Sequence, residues 1–144
     1  SVFNQEMSKE MAKSYEHIII LCGHYEGVDE RAIGEVVDRE VSIGDYVLSN
    51  GNLAAMVIAD TVIRLLPGAL GDGESAEQDS FGDGLLEFPQ YTRPPVFRGK
   101  AVPEVLLSGD HGRIREYRRC LSERLTRERR PDLWEKFLIN EGLK

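Results

Sequence analysis

The sequence predicts an α/β fold in its first part and a small α-helical domain after it. In the first part, a helical pattern leads into a short apolar run, His17 to Cys22, that ends at a glycine. Continuous apolar runs of this length are typical of buried parallel strands. Residues 68–84 are rich in glycine and acidic residues and interrupt the pattern. Residues 104–139 then show mainly helical patterns.

A helix and a strand open the predicted α/β part. Residues 5–16 place Met7, Met11 and Tyr15 at four-residue spacing, which predicts an amphipathic helix. The apolar run that follows contains three consecutive isoleucines, and β-branched residues favour strands. A helix, a buried strand and a glycine turn in this order indicate an α/β arrangement.

The next elements continue this alternation. Residues 28–34 predict a short helical turn that ends at Gly34. Val36 to Ile43 alternates apolar with acidic residues and predicts a second strand. Leu53 to Leu66 is apolar on most faces, which predicts a helix buried in a core or at a subunit interface. Pro67-Gly68 ends it.

The composition divides the chain further. We expect an α/β portion over residues 1–69, a flexible linker over 70–85 and a helical domain over 86–144. The proline-rich residues 89–103 are expected to be extended. The helical region 104–130 is expected to be interrupted near glycine 109, and the proline at 131 to begin a last helix.

Composition excludes several classes of protein. The 144 residues are 41% hydrophobic and 30% charged, which is ordinary for a globular domain. No apolar run is long enough to span a bilayer, and no signal-peptide pattern is visible. Cys22 and Cys120 are far apart and neither belongs to a CxxC motif. Reduced thiols in the cytoplasm are therefore expected, without a zinc site.

Charge is distributed unevenly along the chain. Residues 1–90 carry 5 basic and 17 acidic side chains, whereas residues 91–144 carry 13 basic and 8 acidic ones. Eight arginines and three glutamates lie between Arg113 and Arg130. Arginine suits bidentate phosphate contacts, so this run predicts a nucleic-acid surface. The alternative is a solvated helix whose glutamates pair with its arginines.

Two glycine-containing loops are candidates for ligand binding. The loop Gly23 to Gly27 follows the first predicted strand, and the loop Ile43 to Gly51 follows the second. In parallel α/β sheets, ligands bind at the carboxyl ends of strands, and glycine lets a ligand approach the backbone closely. The loops predict either a small-ligand site or a pair of tight turns. Neither contains a phosphate-loop motif.

Two charged groups are candidates for chemistry. The segment Glu77 to Ser80 places a carboxylate, Asp79, in the predicted linker, where it is either solvated or a general base ordered by substrate. Arg64 is the one cation on the apolar helix Leu53 to Leu66. It either extends to solvent or stabilises a developing oxyanion.

Seven sequence blocks together resemble the bacterial tRNA (guanine-N1)-methyltransferase family, TrmD. They keep the family's order and spacing from about residue 15 to about residue 138, and several are long and unusual. They are LCGHYEGVDER (21–31), SIGDYVLSNGNLAAMV (42–57), RLLPGALG (64–71), SAEQDSFGDGLLE (75–87), YTRPPVFRG (91–99), VPEVLLSGDH (102–111) and RRPDL (129–133).

The resemblance implies a fold and an activity. The fold is the trefoil-knotted parallel sheet with helices of the SPOUT methyltransferases, followed by a small helical domain. The activity is transfer of a methyl group from S-adenosylmethionine to N1 of guanosine-37, the nucleotide 3′-adjacent to the tRNA anticodon. The implied partners are the tRNA anticodon arm and a second copy of the chain in a homodimer. A requirement for Mg²⁺ is left open.

The resemblance also implies roles for residues. Asp79 corresponds to the general base that removes the N1 proton, and Arg64 to the arginine that stabilises charge on the guanine O6. Contacts to the cofactor are implied for Gly23, Glu26, Ile43, Gly44, Tyr46, Leu48, Asn50 and Gly51. Contacts to RNA are implied for Arg113, Arg118, Arg119, Arg124 and Arg127.

The chain also departs from the family pattern. His24 replaces the usual arginine of CGRYEG, and Asn50 and Asn52 stand where GGE is usual. The family's first strands and its SPxG loop have no counterpart here, so we expect the N-terminal part of the fold to be missing. A catalytically incomplete RNA-binding module is therefore kept as an alternative function. The many carboxylates of residues 26–45 leave a third, an acidic metal-dependent hydrolase.

Overall fold

The computed structural model of the chain describes residues 1–69 and 80–143. These residues fall into two compact units, with residues 1–69 in the first and residues 80–143 in the second. Both described parts are rich in helix, and the second also contains a small antiparallel sheet. The elements are α1 (Gln5–Ser14), α2 (Glu30–Val36), α3 (Asn52–Ile63), β1 (Val96–Phe97), β2 (Lys100–Ala101), α4 (Glu104–Leu107), α5 (His111–Arg129) and α6 (Pro131–Asn140).

The predicted first helix is confirmed as α1. Asn4 caps it, because its side-chain oxygen accepts a hydrogen bond of 2.9 Å from the Met7 N–H. Met11 is buried and packs with Ile58 and Val62 of α3. This apolar contact between α1 and α3 forms the core of the first unit. Partly buried side chains pack around it: Phe3, Met7, Ala12, Val41 and Ile43.

Helix α3 is less buried than its composition predicts. It ends at Ile63, before the predicted end at Leu66, and within the first unit it buries only Ile58 and Val62. The other apolar side chains of α3 that are exposed in this unit are Leu53, Met56, Val57 and Ile63. Helix α3 therefore contributes one face to the core of this unit, and its remaining apolar side chains are not covered within it.

The predicted buried strand from His17 to Cys22 is not formed, and this prediction is wrong for the described chain. Residues 17–24 have no regular secondary structure, and Ile19 is 96% exposed. A strand requires a neighbour to take up its backbone hydrogen-bonding groups. Among residues 1–69 and 80–143, no segment pairs with this run. The apolar run therefore has the composition of a strand, but no described strand lies beside it to accept its backbone hydrogen bonds.

The predicted second strand is also largely wrong. Helix α2 continues through Gly34 to Val36, so the strand cannot begin there. Only a parallel bridge between Val2 and Ser42 remains, in which the Phe3 N–H donates to the Ser42 carbonyl over 2.7 Å. Asp29 caps α2, and hydrogen bonding from the Arg31 guanidinium lowers the pKa of the Asp29 carboxyl.

The second unit follows its sequence closely. The proline-rich residues 89–103 contain no helix, and β1 and β2 form a hairpin with Arg98 and Gly99 at positive φ in its turn. Gly109, at φ +73°, separates α4 from α5 as predicted. Helix α6 begins at Pro131 as predicted and packs on α5.

The expected linker, residues 70–85, lies only partly within the described residues. Residues 70–79 lie outside the described residues. Residues 80–85 belong to the second unit, where Leu85 is almost fully buried. These residues are thus folded within the second unit, where Asp83 forms an ion pair with Arg119 of α5.

The start of α6 leads to a pH prediction. Hydrogen bonding from the Arg130 guanidinium lowers the pKa of Asp132 to about 2, from 3.8. A depressed carboxyl pKa stabilises the folded state above the unfolded value and loses this effect as pH falls through the folded value. In denaturant titrations, we expect Asp132→Asn to lower the free energy of unfolding at neutral pH. The deficit should shrink as pH falls from 3.8 towards about 2.

Arg130→Gln serves as the matched variant, because it removes the other half of the same pair. It should show the same loss at neutral pH and the same convergence with wild type in acid. A deficit that persists undiminished at the lowest pH would show that the pair does not cause it.

Candidate functional site

The first glycine loop forms a tight turn. The Gly27 N–H donates to the His24 carbonyl over 3.0 Å, and Tyr25 and Gly27 have φ values of 55° and +113°. The Gly23 α-carbon faces Gly27, since a Cβ at Gly23 would lie 3.3 Å from the Gly27 α-carbon. The side chains of Tyr25 and Glu26 are exposed. The turn thus presents backbone together with one carboxylate.

The second glycine loop is held by its own polar groups. The Ser42 hydroxyl accepts from the Gly44 N–H over 3.2 Å and donates to the Gly44 carbonyl over 3.1 Å. The Tyr46 hydroxyl donates to the Ile43 carbonyl over 3.2 Å. The Tyr46 ring covers Gly44, which has φ +150°. Ile43 packs against the α1–α3 core, so the loop is mounted on that core.

The two loops meet at Cys22 and Gly51. A Cβ at Gly51 would lie 3.2 Å from the Cys22 Cβ and 3.3 Å from its α-carbon. Because Cys22 directly precedes Gly23, this contact joins the start of the first loop to the end of the second. The structure therefore brings Gly23 and Gly51 together, as a shared ligand site requires.

The turn before α3 is built differently from a capped helix. Asn50 accepts a hydrogen bond of 2.9 Å from the Asn52 N–H through its side-chain oxygen. The N-cap position is Gly51, which makes no side-chain hydrogen bond to the helix. Leu48 is half-buried. Asn50 therefore has a structural role within the loop that is predicted to contact the cofactor.

The two predicted catalytic residues differ in what the structure shows. Arg64 is the C-cap residue of α3, where its N–H donates to the Asp60 carbonyl over 3.1 Å, and its side chain is exposed. Asp79 lies outside the described residues. The described part of the chain therefore locates the guanidinium, and the role of each residue stays a prediction.

Within 1–69 and 80–143, no three His, Cys, Asp or Glu side chains lie together in a way that could hold a metal ion. None of the helices formed by these residues is both long and apolar enough to cross a membrane.

Helix α5 carries the basic run on two sides. Arg113, Arg124 and Arg127 are exposed, and their helical spacing places them on one face, with exposed Cys120 between them. The opposite side contains the buried residues Leu121, Ser122 and Thr126. The exposed face presents three guanidinium groups to solvent, which is an arrangement suited to a polyanion.

Arg118 and Arg119 are placed differently from the other three arginines. Arg118 lies with its guanidinium 4.6 Å from the centre of the Phe88 ring. Arg119 forms ion pairs with Asp83 and Glu123. The sequence does not distinguish Arg118 and Arg119 from the other arginines of this run. The residues that they contact, Phe88 and Asp83, are about 30 or more positions away along the chain.

The two glycine loops and α5 all lie within a region that is similar to known proteins. The family model described as tRNA (Guanine-1)-methyltransferase TrmD matches residues 1–136. The chain belongs to this family. The match includes both glycine loops, Arg64, all of α5 and the first part of α6. The TrmD-family blocks identified in the sequence are therefore confirmed.

Three relatives named tRNA (guanine-N(1)-)-methyltransferase show how far the similarity extends. The chain is 62% identical over 131 residues to the protein of Moorella thermoacetica, covering 91% of the chain and 52% of the relative. Identity is 56% over 139 residues with Dehalococcoides mccartyi strain CBDB1, covering 96% of the chain and 56% of the relative. Identity is 57% over 143 residues with Chlamydia pneumoniae, covering 99% and 39%. The chain thus spans about half the length of these relatives or less.

The glycines of this TrmD-family chain give a stability prediction. Gly44→Ala should destabilise the first unit by about 1 kcal/mol or more, because φ is positive there. Its Cβ would also lie 2.5 Å from the Tyr46 ring. Gly34→Ala should stabilise by about 0.5–1 kcal/mol, since Gly34 lies inside α2 and alanine favours helices. Urea denaturation of both variants measures the difference.

Gly34 is a fair control because a Cβ there meets nothing within 4 Å. Equal effects of the two substitutions would contradict the strained loop geometry. A Tyr46→Ala background should recover part of the loss at Gly44, because it removes the ring but leaves the backbone strain.

Proposed function

We propose that the protein to which this chain belongs transfers a methyl group from S-adenosylmethionine to N1 of guanosine-37 in tRNA. The observation that carries the proposal is the family match over residues 1–136, which includes both of the loops that meet at Cys22 and Gly51. Three relatives at 56–62% identity have names that state methylation of guanine N1 in tRNA. Because tRNA is the substrate, the proposed activity is cytoplasmic.

The proposed fold of the whole protein is the SPOUT-type parallel sheet with a trefoil knot. The exposed apolar run at residues 18–21 supports it, because these residues have strand composition and lack a partner strand among the described residues. We also propose a homodimer, in which the exposed apolar face of α3 is covered. Large exposed apolar patches mark interaction surfaces. The proposed domains are 1–69 and 86–144, joined by residues 70–85, of which residues 80–85 fold with the second unit.

The two loops are proposed to hold the methyl donor. The glycines at 23 and 51 lie where an added Cβ would press on neighbouring backbone, so the loops present main-chain groups at close range. The proposed contacts to the cofactor are Gly23, Glu26, Ile43, Gly44, Tyr46, Leu48, Asn50 and Gly51. Bound S-adenosylmethionine supplies a methyl group that is electrophilic because it is attached to a sulfonium.

The protein's own residues are proposed to activate the guanine. The guanine N1–H is a weak acid, so Asp79 is proposed to accept its proton as the N1 lone pair attacks the methyl carbon. The resulting negative charge spreads onto O6, where the Arg64 guanidinium is proposed to stabilise it. The two glycine loops would hold the methyl donor in line with N1, because a displacement at the methyl carbon requires both groups to be aligned.

The exposed face of α5 is proposed to bind the anticodon arm. Arg113, Arg124 and Arg127 supply the cationic groups, and arginine binds phosphate in a bidentate manner. The unit formed by residues 80–143 is compact by itself, which keeps a second candidate function open. That candidate is an RNA-binding module without catalysis, and binding of S-adenosylmethionine distinguishes it from the enzyme.

The general base is tested in the full-length protein. We expect Asp79→Ala to lower the single-turnover rate of N1-methylguanosine formation by roughly 100-fold or more, because proton removal is lost. The affinity for S-adenosylmethionine, measured by calorimetry, should be unchanged. Glu77→Ala is the matched control, since it removes a carboxylate from the same segment and should retain the rate.

Two results would contradict this assignment. Equal rates for wild type and Asp79→Ala would remove Asp79 from the mechanism. Absence of any heat of binding for S-adenosylmethionine in the wild-type protein would favour the non-catalytic RNA-binding module.

The RNA-binding face is tested by its salt dependence. The affinity of wild-type protein for a tRNA transcript should fall steeply with salt, because phosphate contacts release counterions. Arg124→Gln should reduce the slope of log K against log salt by about 1. Arg31→Gln removes the same charge from the first unit and should leave the slope unchanged. Equal slopes for wild type and Arg124→Gln would exclude a phosphate contact at this residue.

A further inference from the structure

We propose that Thr126, Arg118 and Arg119 of α5 are positioning residues. They hold residues 80–88, termed here the anchor segment, against the helix. Ser80 directly follows Asp79 in the sequence, so the anchor segment leads from the proposed general base into the second unit. The consequence for catalysis rests on the function proposed above, whereas the attachment itself rests only on contacts within residues 80–143.

The central contact is the hydroxyl of Thr126. This side chain is fully buried, accepts a hydrogen bond of 2.8 Å from the Leu86 N–H and donates one of 2.7 Å to the Ser122 carbonyl. A buried threonine that both accepts and donates has its hydroxyl orientation fixed on two sides. Leu85, next to the bonded amide, is 1% exposed. The anchor segment is therefore attached to α5 by a desolvated polar contact.

Hydrogen bonds within the anchor segment also join its two ends. The Phe81 N–H donates to the Leu85 carbonyl over 2.8 Å, and the Leu85 N–H donates to an Asp83 carboxylate oxygen over 3.2 Å. The Ser80 hydroxyl accepts from the Glu87 N–H over 2.9 Å. The last of these bonds holds Ser80, the residue that follows Asp79, to the far end of the segment. Its position is thus set by the same structure that Thr126 fixes on α5.

Arg119 adds an ionic contact to this attachment. Its Nη1 lies 2.5 Å from Asp83 Oδ2 and its Nε lies 2.8 Å from Glu123 Oε1. Its guanidinium carbon is also 5.1 Å from the centre of the Phe137 ring of α6. One side chain therefore links the anchor segment, α5 and α6. Two carboxylates already neutralise this guanidinium, so a phosphate would have to compete with them.

Arg118 holds the other end of the anchor segment. Its guanidinium lies 4.6 Å from the centre of the Phe88 ring, within the range of a cation–π contact. The Nε of Arg118 is buried and has no hydrogen-bond partner within the described residues. Burial of this atom fits a side chain that packs against the protein better than one that extends toward RNA. The two arginines therefore differ from Arg113, Arg124 and Arg127.

The attachment matters to a proton transfer because geometry limits general-base catalysis. A base must reach hydrogen-bond distance of its proton, and small displacements of a catalytic group lower the rate strongly. Asp79 is covalently joined to Ser80, so the contacts that hold Ser80 act directly beside the proposed base. Loosening the anchor segment should thus lower the rate of the methylation step while leaving tRNA affinity unaffected.

Thr126→Val tests the central contact in the full-length protein. Valine has nearly the shape of threonine but cannot accept the Leu86 N–H. The single-turnover rate of methylation, at saturating S-adenosylmethionine and tRNA transcript, should fall roughly tenfold. Thr126→Ser keeps the hydroxyl and should restore most of the rate. An equal loss in both variants, or in neither, would overturn the role of the hydroxyl.

Arg119→Gln and Arg124→Gln separate positioning from RNA contact. Arg119→Gln should lower the saturated single-turnover rate and leave the salt slope of tRNA binding unchanged. Arg124→Gln should reduce that slope by about 1. If Arg119→Gln instead lowers the slope and leaves the saturated rate intact, Arg119 is an RNA contact and the inference fails.

Amide hydrogen exchange distinguishes failure of this inference from failure of the proposed function. In Thr126→Val, exchange should accelerate in peptides covering residues 80–88 and stay unchanged in peptides covering α6. This result is independent of catalysis, so it tests the attachment even if the wild-type protein does not methylate tRNA. Unchanged exchange in the anchor segment would overturn the attachment. Acceleration throughout the second unit would show a general structural role and would overturn the positioning role.

Discussion

The first unit depends on the close approach of Gly51 to Cys22, where an added Cβ would lie 3.2 Å from the Cys22 Cβ and would press on the first loop. This contact joins two loops that are separated in sequence by α2 and by the stretch leading to Ser42. The second loop is also supported by the core, because Ile43 packs against the cluster that Met11 forms with α3. A surface made of main-chain groups can thus form where the two loops meet.

The second unit uses one helix for two purposes, and the helical period separates them. The side of α5 that contains Thr126 faces the protein, where it binds the backbone of residues 80–88. The side that contains Arg113, Arg124 and Arg127 faces solvent. RNA bound to the exposed side and residues 80–88 attached to the buried side would therefore both contact α5. On the proposed function, this arrangement ties the recognition of tRNA to the position of the chain that follows Asp79.

The apolar surface of the first unit has a physical explanation in the proposed fold. Residues 18–21 are apolar and lack a partner strand in the described chain, and α3 exposes Leu53, Met56 and Ile63. Both features are costly to leave in water, because roughly 25 cal/mol is lost for each Å² of apolar surface that stays exposed. A sheet that includes the first feature and a dimer that covers the second would remove this cost. The family match is consistent with such a protein, since the relatives are about twice as long as the chain or longer.

The sequence by itself determined the local elements and the family. The spacing of Met7 and Met11 predicted α1, and Gly109 and the proline at 131 predicted the limits of α5 and α6, because these signals act within a few residues. Only the tertiary structure decided that His17 to Cys22 is not a strand here, since pairing requires a neighbour that no local pattern reveals. It also decided which arginines of α5 are held by contacts within the protein. Arg118 and Arg119 are equivalent to their neighbours in sequence, and contacts with Phe88 and Asp83, which are distant along the chain, distinguish them.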